Sequence, residues 1–383
     1  MASIVRRTTE AGERRYDVRY RTPAGSPRTK TFKRSEDARR FVTGVEADKL
    51  EGRFVDPRAG RRTFGELAEE WLDVADVKPK TRAGYRSVLD RHLLPRFGAD
   101  PISAITPAEV ERFLADLRKA PVRGRKVASP TSPGTIRNVR NALSGVCRYA
   151  VRSGAINANP VAEIRAPKIA KRHEMMFLTA GQVAQLADAI DDRYRLAVLL
   201  SAYTGVRAGE MAALRVGRVE MLRRRLQVVE SVGEVHGALV TSTPKNGRGR
   251  AVPIPRFLVD ELATHIAPVA DDPDALVFTA PNGGQVRQST LYRRYFKPAA
   301  ASIGMPDLRW HDLRHTAVAL MVGAGVEPLV ISRVLGHGSI SITYDVYGHV
   351  LPSLEDQLGD AMDRVYADAV AQPDAIVRAM DAR

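Results

Sequence analysis

The sequence predicts a multidomain α+β protein. A small three-stranded sheet plus helix comes first, then a four-helix domain, then a mainly α domain with a small antiparallel sheet. Three observations predict this. At 383 residues the chain exceeds one ordinary hydrophobic core. The apolar pattern alternates near the N-terminus, takes helical spacing through the middle, and becomes mixed from about residue 173. The charge is also uneven. Of the net +15, residues 1–63 hold 17 Lys+Arg against 9 Asp+Glu, residues 64–170 hold 18 against 11, and residues 171–383 balance at 24 each. The domains read from these shifts are 1–62, 63–170 and 171–383.

In the first domain RRYDVRYR alternates. Tyr16, Val18 and Tyr20 fall on one face, with Arg15, Asp17, Arg19 and Arg21 on the other. TPAGSP is a turn cluster and TKTFKR the returning strand. Ser35 is then expected to cap the helix SEDARRFVTGVEADKL. In the second domain Thr63 caps TFGELAEEWLDV, and Phe64, Leu67, Trp71 and Leu72 share one face. Thr81 is expected to cap the next helix. Thr106-Pro107 starts a third, with Pro at the first helical position. SPGTIRNVRNALSGVCRYAVRSG is the fourth, stopped by Gly154. NPVAEIRAPKIAKRHE reads as a linker. Beyond it, helices are expected at 181–203, 208–215, 255–267, 288–303 and 311–322. Strands RLQVVES, ALVTSTP and GRAVPIP lie among them, with an NG turn beside Lys245.

Composition narrows the function. No apolar run approaches the roughly 20 residues that span a bilayer, and no signal peptide is expected. A single cysteine, Cys147, excludes an internal disulfide and fits a reducing compartment, so a cytoplasmic protein is expected. Basic charge confined to the first 170 residues points to a polyanion, and nucleic acid accounts for it better than solubility. The expected DNA contacts are Arg15, Arg19 and Arg21 on the sheet, and Arg137, Arg140 and Arg148 on the fourth helix of the second domain. The stretch after residue 350 carries seven Asp+Glu against three Arg, which suits a protein surface better than phosphates.

Four stretches of the last domain carry chemistry. TGVRAGE sets Arg207 at a helix start, and TPKNGRGR holds Lys245. HDLRHT puts His311 and Arg314 three apart on one side of a helix. LGHGSISITYDVYGHV carries His337 and Tyr347. Singly each is weak: Arg207 also pairs plausibly with Glu210, and Lys245 reads equally as a solvated turn lysine. His311 and His315 have the spacing of zinc ligands. However, Asp312 stands where the metalloprotease motif has Glu, and Arg314 between them repels a divalent cation, so no metal is expected.

Together and in this order, Arg, Lys, His-x-x-Arg, His and Tyr resemble the tyrosine recombinase (phage integrase) family. The resemblance covers about 173–350. More loosely, the two preceding domains are similar to the family's arm-site-binding and core-site-binding domains. It implies a site-specific recombinase that cleaves and rejoins DNA through a 3′-phosphotyrosine intermediate, integrating or excising a mobile element such as a phage genome. Arg207 and Arg314 would fork onto phosphate oxygens. Lys245 would protonate the departing 5′ oxygen, and His311 would serve as general base. His337 would hydrogen-bond the phosphoryl group, and Tyr347 would be the nucleophile. Tyr344 competes for that last role, but Tyr347 has the family's ten-residue spacing from the LGH histidine. Glu210 and His315 would orient these groups, Asp312 would be a helix-start carboxylate, and His349 would be structural or on the surface.

The resemblance also implies neither ATP nor metal, because the phosphotyrosine bond conserves the phosphodiester's energy. Expected partners are double-stranded attachment sites, a homotetramer on DNA, a directionality factor and a host DNA-bending protein. A capped helix with Leu354, Leu358, Met362 and Tyr366 on one stripe would pack in cis or on a neighbouring protomer. The rival readings are a topoisomerase-like relaxing enzyme using the same bond, an inactive DNA-binding regulator on this fold, and a metal-dependent nuclease.

Overall fold

Three antiparallel strands, β1 (Ser3–Thr8), β2 (Arg14–Arg21) and β3 (Pro27–Phe32), open the chain in sequential order. The register sets Val5, Asp17 and Thr31 side by side across the sheet. Helix α1 (Ser35–Leu50) covers the face bearing Val18 and Tyr20, and these pack with Ala38 and Val45. Tyr20 meets Phe41 and Phe54 edge to face. Ser35 does not cap α1: Arg34 occupies the cap position with extended backbone and no side-chain bond. Glu36 and Asp37 lie in the first turn, where negative charge favours a helix N-terminus.

This computed structural model describes residues 2–10, 12–22, 25–51, 54, 59–119, 130–167, 175–244, 247–336, 362–363 and 366–367. They divide into two compact units, Met1–Arg172 and His173–Arg383. Besides the sheet module, the first unit holds a helical cluster of its own. Its elements are α2 (Phe64–Val74), α3 (Pro79–Val88), α4 (Leu94–Phe97), α5 (Pro107–Lys119) and α6 (Pro133–Arg152). Thr63 and Glu66 form a reciprocal capping box on α2, and Thr106 and Ser132 accept the third backbone N–H of α5 and α6. Thr81 is not a cap: the helix begins at Pro79, whose fixed φ suits the first helical position. A π turn at Leu89–Leu93 joins α3 to α4 just before Pro95, which has no N–H to give the helical ladder. Leu67, Trp71, Leu89, Leu93, Phe97, Val139 and Leu143 fill the core. Trp71 lies against Gly145, where an added Cβ would sit 2.7 Å from the indole.

In the second unit the expected helix 181–203 is two helices, α7 (Ala180–Ala189) and α8 (Asp192–Thr204). Ile190 and Asp191 take extended backbone between them, and the Asp191 carboxylate caps α8. α8 is buried nearly all round and is the spine of this core. After α9 (Ala208–Ala212) come β4 (Val219–Glu220), β5 (Arg225–Val228), β6 (Ser231–Val235), β7 (Ala238–Ser242) and β8 (Arg250–Pro253). β4, β5 and β8 form one antiparallel sheet, and β6 and β7 form a separate hairpin. The tight turn is therefore His236-Gly237, where both residues have φ near the left-handed values (48° and 80°) a two-residue turn requires. β7 and β8 do not pair with each other, and Lys245 and Asn246 between them lie outside the described residues. Helices α10 (Arg256–Ile266), α11 (Gln288–Thr290), α12 (Lys297–Ser302), α13 (Trp310–Gly323) and α14 (Pro328–Leu335) follow. Of the expected C-terminal helix, Met362, Asp363, Tyr366 and Ala367 are described; they are helical and exposed.

Candidate active site

Gly205 ends α8 with φ +69°, and Arg207 follows in extended backbone as the cap residue of α9. An added Cβ on Gly205 would lie 2.4 Å from Leu335 Cδ2, so α14 packs directly on this turn. Arg314, from the buried side of α13, is 3% exposed. Its Nη1 donates to the Gly205 carbonyl at 2.6 Å and its Nη2 to the Leu335 carbonyl at 2.8 Å. One guanidinium thus ties the Arg207 turn to the end of α14, where Gly336 (φ +66°) turns the chain toward His337.

Glu210 is the second knot. Its Oε1 accepts from Arg207 Nη1 at 2.8 Å and from Arg250 Nη1 at 2.9 Å. Its Oε2 accepts from the Arg207 backbone N–H at 2.9 Å and from Arg250 Nη2 at 2.7 Å. Burial alone pushes this carboxyl up. The Arg250 bonds and charge, then the Arg207 N–H and charge, more than offset that and hold it at about 2. Arg250 Nε also donates to the Val334 carbonyl at 2.8 Å.

His311, on the first turn of α13, is exposed. Partial desolvation by the surrounding protein, then the charges of His315, Arg314 and Arg207, lower its pKa to about 4. His315 meets it edge to face at 5.0 Å and is itself shifted down, first by burial. Asp312, fully buried, accepts from the Arg309 backbone N–H at 2.8 Å and from the Arg309 guanidinium, fixing the start of α13.

The low His311 pKa has a testable consequence. The folded ring binds its proton about 4 and the unfolded ring near 6.5, so the unfolded chain takes up more protons between those values. The second unit's melting temperature is expected to fall as pH drops from about 6.5 to about 4. His311→Gln should flatten part of that fall; an unchanged slope would remove His311 as its source.

The structure brings together Arg207, Glu210, His311, Arg314 and His315. Lys245, His337, Tyr344, Tyr347 and His349 lie outside the described residues. The sequence reading missed Arg250. Its signal was present: Arg250 shares a strand face with Val252 and Ile254, which are buried, and an arginine on a buried face needs a carboxylate.

Residues 176–353 match the phage integrase family and residues 64–167 match the phage integrase central domain. The chain belongs to the tyrosine recombinase (phage integrase) family. It is an enzyme of site-specific DNA recombination. A relative from Mycobacterium tuberculosis, described as a putative prophage phiRv2 integrase, is 29% identical over 339 residues, covering 85% of this chain and 86% of the relative. Among solved structures, a Tn1549 transposon integrase in complex with a circular intermediate DNA superposes with a TM-score of 0.65 at 18% identity, over 79% of this chain and 99% of that one. A lambda integrase tetramer bound to a Holliday junction gives 0.53 at 17%, over 88% and 96%. At these identities the two structures speak to the fold.

The basic residues of the recombinase's first unit divide. On the open face of the β1–β3 sheet Arg19 and Arg21 are exposed, and Arg15 pairs with Glu13. Asp17 sits among them, with Oδ2 held by Arg7 Nε at 2.8 Å and Oδ1 by the Thr31 hydroxyl at 2.6 Å. On α6, Arg148 is exposed. Arg140 instead donates to the Ile164 and Val161 carbonyls at 2.9 and 3.1 Å, and Arg137 to the Pro167 carbonyl at 3.1 Å. These two guanidiniums, assigned to DNA from sequence, hold the segment that follows α6. Arg140→Ala should therefore cost this unit about 1–3 kcal/mol in chemical denaturation, as loss of charged hydrogen bonds does. Arg148→Ala should leave stability within about 0.5 kcal/mol. It should weaken DNA binding evenly across sequences, with a salt slope shallower by about one.

Proposed function

We propose that this recombinase is the integrase of a mobile element, such as a temperate phage genome, and that it works in the cytoplasm of a bacterial host. In this reading residues 1–62 bind arm sites, residues 63–170 grip the core site, and residues 171–383 carry out cleavage and strand transfer. Arg15, Arg19, Arg21 and Arg148 contact DNA. Four protomers pair two attachment sites, with a directionality factor and a host DNA-bending protein as further partners.

The observation that supports this reading is the meeting of Arg207, Arg314 and His311. Arg314 binds the carbonyl of Gly205, 109 residues back in sequence and two before Arg207, and the charges of both arginines reach His311. Cleaving a phosphodiester builds negative charge on two nonbridging oxygens, so cations held in place lower the barrier. Arg207 and Arg314 supply that charge. The neutral His311 imidazole takes the phenolic proton of Tyr347 as its oxygen bonds to phosphorus. The bond from phosphorus to the 5′ oxygen breaks, and Lys245 gives that oxygen a proton. His337 donates to the phosphoryl group. Rejoining reverses the steps: a 5′ hydroxyl attacks, and a phenol of pKa about 10 is a fair leaving group.

The test uses duplexes made from the element–host junction beside the coding gene, nicked at successive positions so that cleavage releases a short strand. The full-length protein in EDTA should form an adduct that survives SDS, joined to a 3′ phosphate. Absence of any adduct sinks the proposal. Relaxation of plasmids that lack the junction would favour the topoisomerase reading instead.

A further inference from the structure

Arg250 ends the TPKNGRGR stretch, where the sequence gives it no role. Its side chain is 9% exposed and that of Glu210 is 1% exposed. It makes a fork of two bonds onto the Glu210 carboxylate and a third, from Nε, onto the Val334 carbonyl. Three chain segments converge on it: the Arg207 turn, strand β8 that follows Lys245, and the last turn of α14 before His337.

We infer that Arg250 is a positioning residue for strand cleavage, keeping Glu210 from neutralising Arg207 and anchoring the end of α14; this rests on the recombinase reading above. The argument is one of charge and geometry. Arg207 and Arg250 carry two positive charges and Glu210 one negative, so the trio keeps a net positive charge to offer a phosphate. The Arg250 fork also fixes the plane of the carboxylate, because two parallel N–H donors bind both oxygens at once. In that plane only Oε1 meets the Arg207 guanidinium, through one N–H of Nη1. Without Arg250 the buried carboxylate has a single cationic partner. It then turns both oxygens onto Arg207, cancels its charge and takes up donors meant for the substrate.

The third bond acts on a different group. Val334 and Leu335 are the last residues of α14, whose carbonyls form the negative end of the helix. Arg250 takes the first of these carbonyls and Arg314 the second. The two arginines together therefore set where the chain leaves α14, one residue before His337.

The inference separates Arg250 from an ordinary buried ion pair, which would change stability alone. Single-turnover adduct formation on the nicked junction duplex is measured beside melting temperature and affinity for the uncleaved duplex. Arg250→Gln should slow adduct formation by roughly 10²-fold, the loss typical of one misplaced transition-state donor, with affinity nearly unchanged. The double variant Glu210→Gln/Arg250→Gln removes the carboxylate that collapses onto Arg207, so it should react at least tenfold faster than Arg250→Gln. Arg250→Lys keeps the charge without the fork and should fall between wild type and Arg250→Gln; it carries the rate comparison if Arg250→Gln does not fold. The inference is overturned if the double variant is no faster than the single one, or if Arg250→Lys matches the wild type. A wild-type protein that forms no adduct overturns the recombinase reading as well, so the two failures are told apart.

Discussion

Tyr347→Phe is expected to abolish the SDS-stable adduct on nicked junction DNA, and Tyr344→Phe to leave it. The expectation follows from what a covalent intermediate needs. A phenol bonded to phosphorus requires an oxygen, and phenylalanine has none, so the loss is complete rather than graded. Tyr347 also follows His337 by ten residues, whereas Tyr344 follows by seven. DNA binding should survive in both variants, because removing one hydroxyl takes away no positive charge. Gel mobility on the intact duplex checks that, and mass spectrometry of the trapped wild-type peptide identifies the linked residue. An adduct that persists in Tyr347→Phe and vanishes in Tyr344→Phe would reverse the assignment.

Glu210→Ala should be the most damaging substitution outside the nucleophile, and in a different way. It strips the one carboxylate from between two arginines and leaves Arg250 buried without its counter-charge. Breaking a buried pair by removing one member typically costs about 3–5 kcal/mol. For a unit of this size that lowers the melting temperature by on the order of 10 °C. Cleavage should be lost too, because Arg207 loses both its guanidinium bond and the cap on its own N–H. Calorimetry and adduct capture at low temperature separate the two effects. A melting temperature within two degrees of wild type would mean that Glu210 does not hold this turn.

Much of this architecture was legible as local chemistry. Thr63 with Glu66, Thr106 with Glu109, and Ser132 before Pro133 announce helix starts through side-chain oxygens that the backbone then uses. The same signal misled at Ser35 and Thr81. A hydroxyl near a helix start is only a candidate cap, and the residue whose φ and ψ leave the helix decides the boundary. One turn was not named from sequence: His236 accepts a positive φ next to Gly237, and β6 pairs with β7 across them.

The motif residues stand out in sequence because cleaving a phosphodiester calls for particular side chains, and those types follow one another in a set order along the chain. That order carries no distances. The arginines show the limit most clearly. Arg137, Arg140 and Arg148 look alike on one helix, yet two of them bind backbone carbonyls and the third stands exposed. Arg250 sits unremarked in a basic run until folding sets it against Glu210.

From its sequence alone, then, this chain declares helical and strand segments, a basic N-terminal half, and the family to which it belongs, since these follow from side-chain type and spacing along one dimension. Only the folded chain decides which guanidinium meets a carboxylate, a carbonyl or open solvent, because burial and pairing depend on contacts between residues as far apart as Gly205 and Arg314.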